Sequence, residues 1–305
     1  MNPDTRDSLP ITEKENTRTR DLSSEPTNRI VELMNDEDAL VSAAVREVLD
    51  QVTKAVDGIV AKLQTGGRLF YIGTGTSGRL GVLDAAECPP TFGVSAELVQ
   101  GVIAGGYEAC YRAVEASEDD EDAGRVDLTQ RGFNARDALV GIAASGRTPY
   151  TVGAVTFAKE LGAFTVAITC VPDSPITRAA ELSIVPVVGA EVVTGSTRLK
   201  AGTAQKMVLN MISTATMVRM GYVSGNRMSN LKARNLKLRD RAERIIMAET
   251  GLDREQAVEA LDAGGGDLRV ALVMIRSRAS RQAAEASLQQ SNWKVDDAVK
   301  YLSKS

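Results

Sequence analysis

Two stretches of this 305-residue chain place glycines and hydroxyl side chains directly after short apolar runs. The first is Gly73-Thr74-Gly75-Thr76-Ser77-Gly78, after Arg68–Ile72; the second is Ser145-Gly146-Arg147-Thr148, after Ala138–Ala143. Glycine lets a backbone approach an anion closely, and hydroxyls together with the first amides of a following helix donate to phosphate oxygens. The first stretch is not a P-loop, since no Gly-Lys-Ser/Thr follows, and it matches a dinucleotide fingerprint only loosely. Either one alone reads equally as an ordinary strand-to-helix turn. Two such turns after two strands suit a phosphorylated polyol better than a nucleotide. Ser196, Thr197 and Lys200 form a third cluster, with a cation able to neutralise a phosphate or carboxylate. The same three residues also read as a helix N-cap with a surface lysine.

The chain contains no histidine. That excludes a Ser-His-Asp triad, a Cys-His pair, a histidine-held metal and a histidine base. Proton transfer is left to Glu, Asp, Lys, Tyr and Cys. Glu87 stands in Asp84-Ala85-Ala86-Glu87-Cys88-Pro89-Pro90. The double proline is expected to stop the helix after the first turn and leave Glu87 at an element end, where a side chain can face a cleft. Charge statistics alone would make it a surface residue. Glu118 lies in the acidic stretch Glu115–Asp122, a pattern that ordinarily marks a solvated face, and composition does not say which acid matters. Cys88 adjoins Glu87, but nothing nearby activates a thiolate, and it reads as inert.

The elements around these residues follow from periodicity. Residues 1–34 are polar and read as an extended arm with a short helix near Asn28–Met34. Asn35 reads as an N-cap ahead of Asp36, Glu37 and Asp38. Apolar residues from Val41 to Leu63, at spacings of three and four, then predict one long helix stopped by Gly66-Gly67. Arg68–Ile72, Leu98–Ile103, Ala138–Ala143, Thr165–Thr169 and Leu182–Val185 read as short buried strands. Helical patterns separate them, for example Tyr150–Leu161 after Pro149. Alternation of this kind predicts a doubly wound α/β fold with a parallel sheet, and such sheets bind ligands beyond the carboxyl ends of their strands. Thr203–Val223 reads as a Met- and Leu-rich helix, in the core or in a dimer seam.

From about Arg239 the pattern changes to short helices, so the expected division is an arm (1–34), an α/β domain with a leading helix (35–238) and a small all-helical domain (239–305). A weak repeat runs through the last part: Leu261, Leu268 and Ala271 recur as Leu288, Val295 and Ala298, an offset of 27. Two helical units in tandem would explain it, and so would chance similarity between Ala- and Leu-rich helices. The formal net charge of −4 offers no reason to expect nucleic acid or an anionic membrane as partner. No apolar run approaches a membrane span, and the polar N-terminus lacks a signal-peptide pattern. Cysteines 88, 110 and 170 have no metal-type spacing and suit a reducing cytoplasm.

The two turns resemble those of the sugar isomerase (SIS) domain, a flavodoxin-like, doubly wound module that holds phosphosugars. Longer stretches are more specific: GGRLFYIGTGTSGRLGVLDAAECPPTFG at 66–93, GIAASGRTPYTVGA at 141–154 and VVGAEVVTGSTRLKAGTAQKMVLNMIST at 187–214. With ITEKENTRTRD near the N-terminus, they are similar to the N-acetylmuramic acid 6-phosphate etherase family, from about residue 11 to about 275. The resemblance implies a lyase that releases D-lactate and N-acetylglucosamine 6-phosphate in cell-wall sugar recycling. It implies that Glu87, in the ECPPT motif, is the proton donor. A VEGAED-type motif implies Glu118 as the second active-site carboxylate, with Glu115 as runner-up; this chain has Ala116-Ser117 where that motif has Gly-Ala. It also tilts Ser196, Thr197 and Lys200 toward a site role, beside Thr74, Gly75, Thr76, Ser77, Ser145, Gly146 and Thr148.

The implied chemistry requires no metal or other cofactor. SIS-domain proteins usually pair, so the resemblance also implies a homodimer acting on a small phosphosugar. Two other functions fit the same fold. One is a phosphosugar aldose–ketose isomerase; the other is a non-catalytic phosphosugar sensor, since the domain occurs in regulators such as the glucokinase regulatory protein.

Overall fold

A computed structural model of the chain describes residues 9–114, 118–230, 233, 236–291 and 293–303. They form two compact units, Met1–Ala86 with Ala96–Ser213, and Glu87–Ser95 with Thr214–Ser305.

The first unit opens with three short 3-10 turns, at Ile11–Glu13, Thr17–Thr19 and Leu22–Ser24. This arm is not extended. The Asn16 amide donates to the Ala190 carbonyl at 3.3 Å and the Thr19 hydroxyl to the Val192 carbonyl at 2.9 Å, so the arm is folded onto a distant loop. Three helices follow: α1 (Thr27–Asp38), α2 (Val41–Arg46) and α3 (Leu49–Gln64). Asn35 is therefore no N-cap. It lies within α1, where its carbonyl accepts from Ala39. The expected single helix is broken before Val41 and again around Val48, yet Val41, Val45, Val48, Val52, Val56, Ile59 and Leu63 are all buried. One apolar stripe runs unbroken across the second break, and for that reason periodicity does not reveal it; the first falls at exposed Ala39 and Leu40. Gly66-Gly67 does end α3. Gly66 has φ +83°, and a Cβ on Gly67 would come within 2.0 Å of the Arg136 carbonyl.

Next come β1 (Leu69–Gly73), α4 (Gly75–Phe92), β2 (Val99–Ile103), α5 (Glu121–Gln130), β3 (Ala138–Ile142), α6 (Pro149–Glu160), β4 (Phe164–Ile168), α7 (Pro175–Ala179), β5 (Leu182–Ile184) and α8 (Lys200–Arg219). The five expected strands form one parallel sheet in the order β2-β1-β3-β4-β5. Phe70, Ile72 and Leu139 pack on one face against Tyr150, Ala154 and Ala158 of α6. On the other face, Gly58 of α3 sits under the Phe164 ring and Gly81 of α4 against Tyr71. Helices cover both faces, as a sheet built from βαβ units requires.

One expectation about α4 is overturned. Pro89 and Pro90 do not stop the helix; it runs through both to Phe92. Proline lacks an N–H and crowds the carbonyl four residues back, a cost borne most easily near a helix end. Here the end comes at Gly93, whose φ of +66° closes the helix while its N–H donates to the Pro89 carbonyl at 2.9 Å.

In the second unit, the Phe92 carbonyl accepts from the Asn230 side chain at 2.7 Å. A two-stranded hairpin, β6 (Val223–Ser224) and β7 (Arg227–Met228), precedes α9 (Leu236–Thr250), α10 (Arg254–Ala263), α11 (Leu268–Ser277), α12 (Arg281–Gln290) and α13 (Val295–Leu302). The sequence repeat is a structural one. Helix α12 starts 27 residues after α10, and α13 starts 27 after α11. The paired positions Leu261 and Leu288, Leu268 and Val295, and Ala271 and Ala298 are all buried in a single core. Equivalent burial predicts equivalent cost. Leu261→Ala and Leu288→Ala should each remove about 2–5 kcal/mol of stability from this unit, in similar amounts, by urea unfolding.

Candidate functional site

The sheet order reverses between β1 and β3, and an open α/β sheet presents its binding crevice at such a point, beyond the carboxyl ends of the strands. Gly73, the last residue of β1, is the register partner of Ile142, the last of β3. The two hydroxyl-rich turns therefore leave the sheet side by side.

The first turn is shaped by close packing. A Cβ on Gly73 would lie 2.7 Å from the Ile142 carbonyl, and one on Gly78 2.6 Å from the Gly73 carbonyl. Strand and helix can meet this tightly only without side chains at those positions. Gly75 has φ +49° and starts α4. The first N–H groups of a helix have no acceptor within it, so those of Gly75, Thr76 and Ser77 open a ready anion cradle. The Thr74 and Ser77 side chains are mostly buried beside it.

At the second turn, Gly146 has φ +67°, and a Cβ there would collide with the Ser174 hydroxyl at 2.1 Å. The Ser145 hydroxyl accepts from the Arg147 N–H at 3.3 Å, and Pro149 occupies the first position of α6 after Thr148.

Glu118 links the two turns. Its carbonyl accepts from the Tyr150 N–H at 3.2 Å, which uses an α6 amide that would otherwise be free. Its carboxylate Oε1 lies 3.4 Å from the point where a Cβ would stand on Gly75. An acidic stretch that composition assigns to solvent thus delivers one carboxylate to the first turn. Glu115 lies outside the described residues. Glu87 belongs to the second unit and is an exposed residue of α4, with its neighbour Cys88 buried.

The third cluster leads into α8. The Gly202 N–H donates to the Thr197 carbonyl at 3.0 Å, and the Thr76 methyl lies 3.5 Å from the Cβ position of Gly202, so the start of α8 adjoins the first turn. Neither Ser196 nor Thr197 caps this helix. The carboxylate of Glu191 does so, accepting from the Lys200 and Ala201 N–H groups at 2.9 Å each. Burial raises the Glu191 carboxyl above its ordinary range, partly offset by those two N–H groups and by Lys200. Lys200 is 1% exposed, and its ammonium donates to Glu37 of α1, which also pairs with Arg18 at 3.2 Å. Its charge is therefore bound to the arm and first helix.

Sequence reasoning missed several buried polar residues around the site. From the sequence, Glu37 is marked only as a first-turn acid. Asp84 of α4 accepts from Asn210 at 2.7 Å and Ser213 at 3.1 Å, both on α8, and burial raises its carboxyl. Gln205 of α8 takes the Ser77 hydroxyl at 3.0 Å. The available signal is the presence of Gln205 and Asn210 inside a Met- and Leu-rich helix. Cys170 supplies no nucleophile: burial, reinforced by Glu191, pushes its thiol up to about 12.

The parallel sheet with its paired turns is that of a SIS module, and sequence comparison agrees. Residues 51–159 match the glucokinase regulatory protein N-terminal SIS domain, and residues 111–215 match the SIS domain. Phosphoheptose isomerase structures from Francisella tularensis and Neisseria gonorrhoeae align over 63% of this chain and 98% of theirs, at 15% identity, with TM-scores of 0.49 and 0.47. Full-length relatives are much closer. An N-acetylmuramic acid 6-phosphate etherase from Clostridium beijerinckii is 48% identical, covering 95% of this chain and 96% of its own. One from Cronobacter sakazakii is 52% identical, covering 91% and 94%. The chain belongs to the N-acetylmuramic acid 6-phosphate etherase family.

The Glu37–Lys200 pair yields a stability prediction. Removing one member of a buried ion pair strands the other charge, at a cost of about 3–5 kcal/mol. Glu37→Ala should lose about that much in urea unfolding, whereas the double change Glu37→Met with Lys200→Met, which leaves no buried ammonium unpaired but takes a partner from half-exposed Arg18 and from Glu191, should recover part of it.

Proposed function

We propose that this chain cleaves the D-lactyl ether of N-acetylmuramic acid 6-phosphate, yielding D-lactate and N-acetylglucosamine 6-phosphate. The observation that carries the chemistry is the Glu118 carboxylate, held against Gly75 in the first of two adjoining anion-type turns. Full-length similarity to etherases supports the choice of substrate.

An alkoxide is a poor leaving group, so direct hydrolysis of an ether at neutral pH is slow. The open-chain sugar offers an easier path. Its C1 aldehyde acidifies the proton on C2; a carboxylate removes that proton while a carboxylic acid protonates the C3 ether oxygen. The C3–O bond breaks, lactate departs and an α,β-unsaturated aldehyde remains. Water then adds at C3, its proton returning to C2. We assign Glu118 as the base and Glu87 as the proton donor. The step needs one carboxylate to accept a proton and one carboxylic acid to give one.

In this reading the phosphate sits on Thr74, Gly75, Thr76 and Ser77 of the first turn, with Ser145, Gly146 and Thr148 of the second and Ser196 and Thr197 completing the pocket. Lys200, buried and paired with Glu37, is not assigned to the phosphate and instead anchors the start of α8. Catalysis belongs to residues 35–238, and the helices of 239–305 are a separate domain. None of the described helices is long and apolar enough to cross a membrane. We place the enzyme in the cytoplasm, in peptidoglycan amino-sugar recycling, and as a homodimer.

Glu87→Gln and Glu118→Gln should each reduce D-lactate release by at least about a thousandfold, at the upper part of what a general acid or base contributes, while the phosphosugar still binds. A coupled D-lactate assay and calorimetric titration measure the two effects. Near-normal turnover by Glu87→Gln would remove it from the mechanism. Saturable binding with no lactate from the unaltered protein would favour a sensor.

A further inference from the structure

Ser77 and Gln205 form a buried polar contact at the edge of the first turn, 8% and 0% exposed. The Ser77 hydroxyl donates to Gln205 Oε1 at 3.0 Å, while Gln205 Nε2, fully buried, meets no acceptor among the described residues. Leaving an amide N–H desolvated and unpaired is costly, so a carboxamide in this position calls for a reason.

The two ends of a carboxamide have the same shape, so the contact has two chemical forms. In one, Ser77 spends its single proton on Gln205 Oε1. In the other, the amide is turned over and Nε2 donates to Ser77 Oγ. A hydroxyl offers one proton and two lone pairs, so the turned form frees the Ser77 proton to donate elsewhere. Ser77 lies two residues into α4, beside the amides that form the anion cradle. A phosphoryl oxygen in that cradle would make the freed O–H a charge-assisted donor, the stronger kind of hydrogen bond.

We propose that Gln205 is a positioning residue for the phosphoryl group: it takes the Ser77 proton when the turn is empty, and donates to Ser77 when the turn is filled, aiming that hydroxyl at the ligand. The proposal rests on the reading that the first turn binds the substrate's phosphate. It explains a buried carboxamide with a spare donor next to a serine whose proton is needed elsewhere.

The test compares Gln205→Glu, Gln205→Met, Ser77→Ala and the Ser77→Ala/Gln205→Met double variant in the full chain. KM and kcat for lactate release, competitive inhibition by inorganic phosphate and thermal midpoints are read for each. Glutamate keeps the shape of glutamine but its carboxylate can only accept, so it should hold the Ser77 proton permanently. Gln205→Glu should raise KM and the phosphate inhibition constant about tenfold or more, as loss of a hydrogen bond to a charged group does, with kcat within about twofold. Gln205→Met, which leaves Ser77 its proton but nothing to aim it, should weaken phosphate by less than Ser77→Ala does, and the double variant should be no worse than Ser77→Ala alone, since both changes act through one hydroxyl. If Ser77→Ala weakens phosphate but Gln205→Glu does not, Gln205 has no positioning role. Additive effects in the double variant, or a lowered thermal midpoint with unchanged phosphate inhibition, overturn the proposal in the same way. If Ser77→Ala itself leaves phosphate inhibition unchanged, the reading of the first turn fails, and the proposal with it.

Discussion

The site depends on how closely β1 and the start of α4 approach their neighbours. Gly73 and Gly78 leave no room for side chains, so the backbone of the first turn is held against the end of β3 by contacts that allow little adjustment. Interiors are close-packed and do not deform gradually, so this approach fixes the direction of the helix amides as well as their distance. Everything placed at the turn inherits that rigidity: the Glu118 carboxylate against Gly75, Thr76 against Gly202, and Ser77 against Gln205.

Around this centre, α8 brings polar groups to an otherwise apolar contact with α4. Ser77 meets Gln205 near the start of the two helices, and Asp84 meets Asn210 and Ser213 two turns further along. Buried polar pairs fix register, because sliding one helix past the other would leave each group unsatisfied. Glu191 and Lys200 serve the same end at the start of α8, one by capping it and the other by tying it to Glu37. Hydrophobic burial supplies most of the stability of this unit, and these few polar contacts define where its helices stop.

The strands and their parallel order were legible because each is a short apolar run between turn residues, and because alternation with helices admits few topologies. The two turns were legible because Gly, Ser and Thr at strand ends have a chemical meaning by themselves. The repeat in the last helices was legible as an offset, since a duplicated core must bury the same positions twice. Other features were not. The stripe from Val41 to Leu63 hides the helix break around Val48 because burial continues across it. Pro89-Pro90 predicts a stop from local sterics, but the helix survives another residue pair beyond them to end at Gly93. Glu37 and Lys200 stand 163 residues apart, and no local pattern announces that they meet. Glu118 became distinctive only through resemblance and position, since its neighbours are equally acidic.

The same 163-residue separation has a bearing on biogenesis. At ordinary translation speeds of about 5–20 residues per second, on the order of ten seconds or more pass between synthesis of Glu37 and synthesis of Lys200. Throughout that interval α1 has no counter-ion from α8, and the arm has no loop at Ala190–Val192 on which to settle. The nascent N-terminal helices must wait at the ribosome surface, partly unsecured, until the start of α8 emerges. Only then does the N-terminal segment lock, and the last helices are still being made when it does.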